Sequence, residues 1–315
     1  APVISSSATF SAAENQTSIG SVSASDAEGD DLTYAVSGSE ISISDTGVLT
    51  FKNAPDYESK STYTETVTVS DGVNSSTQDI TVSITNVNDV APVISSSSTF
   101  SAAENQTAIG SVEASDVEGD DLTYSISGTE ISISSSGVLS FISAPDYESK
   151  TSYSATVTVS DGELIDTQDL IVSVINVNDN SPVITSGSGF SVNENVSTIG
   201  TVQASDADND ALAYSVTGSE LQISNSGVLS FSDSNGADFE SQSSYIAEVS
   251  VFDGVFTVSQ TIIITVNDTN DNTPIITSSS LTPNENLVII GSVSASDGDA
   301  DSTLSFSISG ADTLK

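Results

Sequence analysis

Apolar and polar residues alternate over short stretches along nearly the whole chain. Ile80, Val82 and Ile84 are separated by Thr81 and Ser83, and Leu32, Tyr34 and Val36 form a second run. Ile41 with Ile43, and Tyr63 through Val67 and Val69, supply more. Successive side chains of a strand point to opposite faces, so each run predicts a strand with one buried face. Ser and Thr fill the solvent-facing positions and β-branched residues are plentiful, both of which suit a half-buried pleated surface. Gly29, Gly47 and Gly72 fall between the runs as turns. No useful length of chain carries a helical period.

The pattern then repeats. Ala1-Pro2-Val3-Ile4 returns as Ala91-Pro92-Val93-Ile94, as Ser181-Pro182-Val183-Ile184 and as Thr273-Pro274-Ile275-Ile276, with periods of 90, 90 and 92 residues. The expected repeats are 1–90, 91–180, 181–272 and an incomplete fourth at 273–315. The extra residues of the third lie between Phe231 and Asp238, where a length change marks a surface loop. About seven short strands per repeat predict an all-β chain of Greek-key, immunoglobulin-like sandwiches in linear array. Phe10, Tyr34, Phe51 and Tyr63 are the bulky residues expected in the first core, returning as Phe100, Tyr124, Phe141 and Tyr153. From its partial fourth repeat the chain is expected to be a piece of a longer protein. No apolar run approaches the roughly 18 residues of a membrane span.

Charge narrows the function. Against 44 Asp plus Glu stand only Lys52, Lys60, Lys150 and Lys315, a formal net charge of −40. Such a chain cannot neutralise phosphates, so nucleic acid and anionic membrane are poor partners. It repels itself unless counter-ions bind, the other reading being a surface kept soluble in salty water. Cys, His, Met and Trp are absent. Their absence removes thiol and imidazole nucleophiles and every soft metal ligand, leaving hard oxygen donors that suit Ca²⁺ or Mg²⁺. With no lysine in the third repeat, covalent stiffening through lysine is not expected.

Five acidic clusters recur in fixed order. In the first repeat they are Glu14-Asn15, Asp26-Ala27-Glu28-Gly29-Asp30, Asp56-Tyr57-Glu58, Asp71-Gly72 and Asn86-Val87-Asn88-Asp89. Strand ends from distant sequence meet at the two poles of a sandwich. Glu14, Asp56, Glu58 and the Asn-rich linker are expected at one pole, and Asp26, Glu28 and Asp71 at the other. Repeats joined pole to pole would crowd six or more carboxylates around each linker. That crowding matches the six to eight oxygens Ca²⁺ takes. An extra acid follows at Asp30, Asp120, Asp210 and Asp301, readable as ligand or turn residue.

These clusters resemble the calcium motifs of cadherin repeats: E-N, D-x-D, D-R-E, x-D-G and D-x-N-D-N-x-P. Asp268-Thr269-Asn270-Asp271-Asn272-Thr273-Pro274 matches the last in full. Asn176-Val177-Asn178-Asp179-Asn180-Ser181-Pro182 has Asn in its first position, and the first linker has both Asn86 and Val90 as departures. D-x-D reads D-x-E in the first two repeats, and the D-R-E triplets keep both carboxylates but lose the Arg. The segment as a whole is similar to the bacterial cadherin-like repeats of very large secreted adhesins and matrix proteins. The resemblance implies about three calcium ions per linker. It assigns Glu14, Asp56, Glu58, Asn86, Asn88, Asp89, Asp116, Glu118 and Asp161 to the first linker. To the second it assigns Glu104, Asp146, Glu148, Asn176, Asn178, Asp179, Asp206, Asp208 and Asp253. The third takes Glu194, Asp238, Glu240, Asp268, Asn270, Asp271, Asp297 and Asp299. Asp26, Glu28 and Asp71 would serve a linker to a preceding repeat.

The expected function is a calcium-stiffened spacer or adhesion segment at a bacterial cell surface, touching neighbouring repeats of its own chain. Cell-surface or glycan ligands would be met through other domains. A self-assembling filament, sheath or matrix is the alternative, and a carbohydrate-binding accessory module a third, less favoured because the eight tyrosines and ten phenylalanines are mostly accounted for by the cores rather than free to form platforms. The Asp56 and Glu58 pair could serve glycoside hydrolysis, but its place beside three further acidic motifs favours cation binding over an enzyme.

Overall fold

The computed structural model describes residues 1–310 apart from 279, 283, 287, 300 and 301. The described residues contain strands and no helix, and form two compact units, Ala1–Ile175 and Asn176–Lys315. Lys315 and Asp301 lie outside the described residues.

The first set of strands shows the plan. In chain order they are β1 (Val3–Ile4), β2 (Thr9–Ala13), β3 (Ser18–Ser21), β4 (Ala24–Ser25), β5 (Thr33–Val36), β6 (Ile41–Ile43), β7 (Val48–Phe51), β8 (Thr62–Ser70) and β9 (Ser75–Thr85). One sheet has the order β2-β9-β8-β5 and the other β3-β7-β6, which gives the seven strands expected from the alternation. A two-stranded pair, β1-β4, is added at the margin. Two-residue strands carry no period, so the sequence pattern could not reveal them.

Register follows from the pattern of buried side chains. β8 and β9 form a hairpin from Thr62↔Ser83 to Ser70↔Ser75, and its inward residues Val67, Val69, Ile80 and Val82 are almost fully buried. A one-residue slip would turn all four to solvent. β2 pairs with β9 in parallel, Phe10 opposite Val82 and Ala13 opposite Thr85. The same two-sheet plan recurs over Thr99–Ile175 in the first unit and over Gly189–Asn267 in the second. In the second unit Ile275–Ile276 also pairs with Ala295–Ser296.

Each plan encloses its own core. In the first, Ile41, Leu49 and Phe51 of the smaller sheet meet Val67, Val69, Ile80 and Val82 of the larger. Burying one such Leu or Ile stabilises by about 1.5–3 kcal/mol. The aromatic expectation is corrected in part. Phe51 and Tyr63 are buried edge to face with centroids 4.9 Å apart, but Phe10 and Tyr34 are only half-buried against the cluster. Phe10 leans over Gly20, and the Tyr34 ring flanks Gly47. Gly47 holds φ +82°, and a Cβ there would come 2.3 Å from the Val22 carbonyl. Gly137 and Gly227 repeat this geometry. The lengthened third loop lies at the surface, with 232–235 exposed.

Candidate metal centres

Because β2 and β9 run parallel and end together, the residues that follow them meet at one pole. Glu14 follows β2 and is 3% exposed. Its Oε2 accepts the Tyr57 amide at 2.8 Å and its Oε1 the Val87 amide at 2.8 Å. The carboxylate therefore ties the D-Y-E turn to the linker. Asn15 has φ 59°, a left-handed conformation that Asn tolerates well. Its amide donates to the Pro55 carbonyl at 3.0 Å, and its side chain donates to the Asp89 carboxylate. Asp56 is capped by the Ser59 amide and hydroxyl at 3.1 and 3.0 Å.

The opposite pole of the next strand set supplies the rest of the first linker. Asp116 Oδ1 accepts the amides of Glu118 at 2.9 Å and Gly119 at 3.1 Å. Asp161 Oδ1 accepts those of Glu163 at 2.8 Å and Leu164 at 2.7 Å. In both the second oxygen is turned inward. The Glu118 carboxylate takes the amides of Asp89 at 3.0 Å and Val90 at 3.1 Å. Glu14, Glu58, Asp89 and Glu118 bring carboxylate oxygens within 4.8 Å of one another. The two poles thus meet as expected, while Asn86 is exposed at the start of the linker.

The second unit repeats this at the third linker. Glu194 Oε2 accepts the Phe239 amide at 2.8 Å and Oε1 the Thr269 amide at 2.7 Å. Asn195 donates to Asp271 at 2.5 Å. Asp299, 5% exposed, accepts the Asp271 amide at 3.3 Å and the Asn272 amide at 3.2 Å. Asp297 accepts the Asp299 amide at 3.2 Å. Glu194, Asp238 and Glu240 gather within 4.8 Å. Asp268 and Asn270 lie in the linker just past the strand Thr257–Asn267.

Residues expected at the second linker divide between the units. In the first, Glu104 accepts the Tyr147 amide at 2.7 Å and Asp146 is capped by the Ser149 hydroxyl at 2.9 Å, with Glu148 between Tyr147 and Ser149 in the chain. In the second, Asp208 accepts the amides of Asp179 at 3.1 Å and Asn180 at 2.9 Å. Asn176 and Asn178 donate side-chain N–H to the carbonyls of Asp208 (2.8 Å) and Asp253 (3.3 Å). Asp26, Glu28 and Asp71 also converge: the Ala1 nitrogen is 3.5, 3.9 and 3.6 Å from their carboxylates.

Electrostatics divides these acids into two groups. Hydrogen bonds from Ser59 hold the Asp56 carboxyl below its usual range, and those from Asn74 and Val73 do the same for Asp71. The amides of Phe239 and Thr269 lower Glu194. Glu58 is raised, first by lost hydration and then by Glu14, Glu118 and Asp56. Glu240 is raised by lost hydration and by Glu194.

At the first linker Asn88 Oδ1, Asp116 Oδ2 and Asp161 Oδ2 are shielded from water and accept no hydrogen bond. Buried polar atoms are nearly always paired, so three such oxygens together fit a cation. With only carboxylate and amide oxygens on offer, the donor set suits a hard divalent ion. The sequence reading missed the backbone clamps made by Glu14 and Glu118, and the role of Asn15. The signal for Asn15 was its fixed place after Glu14, since Asn is favoured where φ is positive.

A family profile described as a bacterial Ig domain matches residues 1–85 and 88–173, more than half of the chain. Chitinase A of Pseudoalteromonas piscicida is 36% identical over 128 residues, covering 40% of this chain. Human protocadherin-1 is 32% identical over 295 residues, covering 81% of this chain. The chain spans only 16% and 28% of the length of these relatives. The crystal structure of mouse cadherin-23 EC22-24 superposes with a TM-score of 0.65 at 22% identity, covering 83% of this chain and 96% of that one. The chain belongs to the bacterial Ig domain family, and its repeats are cadherin-like β-sandwiches in tandem.

Proposed function

We propose that this segment is a calcium-stiffened spacer of a secreted adhesion or matrix protein, with ions held at the junctions between repeats. At the first junction Glu14, Glu58, Asp89, Asp116, Glu118, Asp161 and the Asn88 carbonyl oxygen would hold the metal, with Asp56 and Asn86 at the rim. At the third, Glu194, Asp238, Glu240, Asp268, Asn270, Asp271, Asp297 and Asp299 would do so. Bound there, calcium supplies the positive charge that lets these carboxylates stay ionised side by side. Glu14 and Glu118 position the linker backbone from its two ends, whether or not metal is bound.

The observation that carries this reading is the set of buried oxygens without donors: Asn88 Oδ1, Asp116 Oδ2 and Asp161 Oδ2. A merely solvating acid would turn both oxygens to water. An extracellular setting would suit sites of this kind, since extracellular calcium modules bind with Kd of about 10⁻⁴–10⁻³ M. Among the described residues no helix is long and apolar enough to cross a membrane.

Melting of the full chain in calcium and in chelator tests the proposal. At ten times Kd each independent site stabilises by about 1.4 kcal/mol, so calcium is expected to raise Tm by several degrees. Equal melting in both conditions overturns it. A second reading, an accessory repeat of a polysaccharide-degrading protein, draws support from the chitinase A relative. Retention of the chain on insoluble chitin would favour that reading.

A further inference from the structure

The acid that follows each D-x-D or D-x-E pair has no part in the proposed sites so far. In the second unit Asp206, Asp208 and Asp210 alternate along one loop and bring carboxylate oxygens within 4.8 Å of one another. Asn209 between them has φ 64°, a left-handed turn that folds the loop back on itself. Gly119 does the same before Asp120 with φ +83°, and Asp116, Glu118 and Asp120 gather likewise.

The turn does not need the Asp210 side chain. Asp206 Oδ1 already accepts the amides of Asp208 at 3.0 Å and Asp210 at 3.4 Å. What the Asp210 carboxylate does instead is face inward: its Oδ2 is shielded from water and accepts no hydrogen bond. Among the atoms of this unit that share that state are Asn176 Oδ1, Asn178 Oδ1, Asp206 Oδ2 and Asp253 Oδ2. Asp253 is only 5% exposed, and its Oδ1 is taken by the amides of Val255 and Phe256 at 2.7 Å each. The amide nitrogens of Asn176 and Asn178 are likewise taken by backbone carbonyls, which leaves their oxygens as the free atoms.

We propose that Asp210 is a direct calcium ligand, completing a loop in which carboxylates at alternate positions grip one ion together with Asn176, Asn178 and Asp253. Asp120 takes the same part beside Asp116 and Glu118. Alternate acids in a tight turn are the arrangement by which calcium loops present successive ligands to one ion. The extra charge offsets the Asn that stands at the first linker position in Asn86 and Asn176. This inference rests on the calcium reading above and goes beyond it by adding a ligand.

The test compares the wild-type full chain with D210N, D120N and the double variant. Calorimetric Ca²⁺ titration is paired with terbium luminescence lifetimes, which count waters left on the ion. Each single variant is expected to weaken one class of site about tenfold or more and to admit about one further water to the bound terbium. In chelator the variants are expected to melt no lower than wild type. Superimposable isotherms and lifetimes for wild type and D210N would sink this assignment alone, leaving the linker sites intact. A lower melting temperature for D210N in chelator would make the residue a turn former and overturn the proposal. A wild-type chain that binds neither ion would remove both readings together.

Discussion

The Glu14 carboxylate accepts the Val87 amide at 2.8 Å across 73 residues of sequence. Its other oxygen takes the Tyr57 amide, so one buried acid fixes the relative position of a strand end, a turn and a linker. Unlike the oxygens that face the candidate metal positions, both of its own are spoken for by the backbone. Glu14 should therefore matter to the fold even without calcium.

Replacing Glu14 by Ala leaves two amides without their acceptor, each costing about 1–3 kcal/mol. E14A should lower stability by about 3 kcal/mol in chelator as well as in calcium. E14Q keeps one acceptor oxygen and should lose less. Chemical denaturation of both variants in both conditions checks this, and a loss seen only in calcium would show Glu14 to be a ligand and nothing more.

Asp161 makes the opposite prediction. Its Oδ1 accepts two backbone amides while its Oδ2 has no donor. D161N preserves the accepting oxygen and removes the charge. The calcium-induced rise in Tm should shrink, while Tm in chelator should hold or rise as like charges at the linker are reduced. Paired melting curves read both effects.

Gly47 tests the backbone rather than the charges. At φ +82°, with a Cβ only 2.3 Å from the Val22 carbonyl, an Ala adds both strain and a clash. G47A should destabilise by about 2 kcal/mol or more, equally with and without calcium. A control at Gly29, which also has positive φ but nothing within 4 Å of a Cβ, should cost less.

Acid should act in two stages on the chelated protein. Glu58 and Glu240 have raised values when folded, so the folded state binds their protons more readily than the unfolded chain does. Their repulsion is present at neutral pH and is relieved as pH falls toward the ordinary carboxylate value near 4.3. Glu194, Asp56 and Asp71 are lowered. Their contribution is complete above the ordinary value and is lost as pH falls through their folded ones. Tm in chelator should thus hold or rise from pH 7 to about 5 and fall below about 4. A steady decline from neutrality would contradict the raised group.

Much of the fold was legible because period-two alternation is a direct imprint of a half-buried strand, and Ile80, Val82 and Ile84 show it plainly. The gathering of acids at the first linker was legible for a related reason, since strand ends that close a sandwich must share a pole. Contacts made by the backbone left no such imprint. Nothing in the residue type of Glu14 distinguishes a ligand from a clamp on Tyr57 and Val87, and Glu118 hides the same duty. Phe10 and Tyr34 were over-read because size alone does not say how deeply a side chain is buried. The left-handed Asn15 and the inward Asp210 were visible only as recurring letters whose geometry the fold had to supply.

Equilibrium dialysis of the full chain against labelled calcium tests the central claim most directly. The account predicts saturable binding of several ions per chain with Kd near 10⁻⁴–10⁻³ M, reduced in D161N and unaffected by G47A in the fraction that remains folded. Calcium uptake that never saturates and falls away with added monovalent salt would mark the acids as diffuse solvating charge and contradict it.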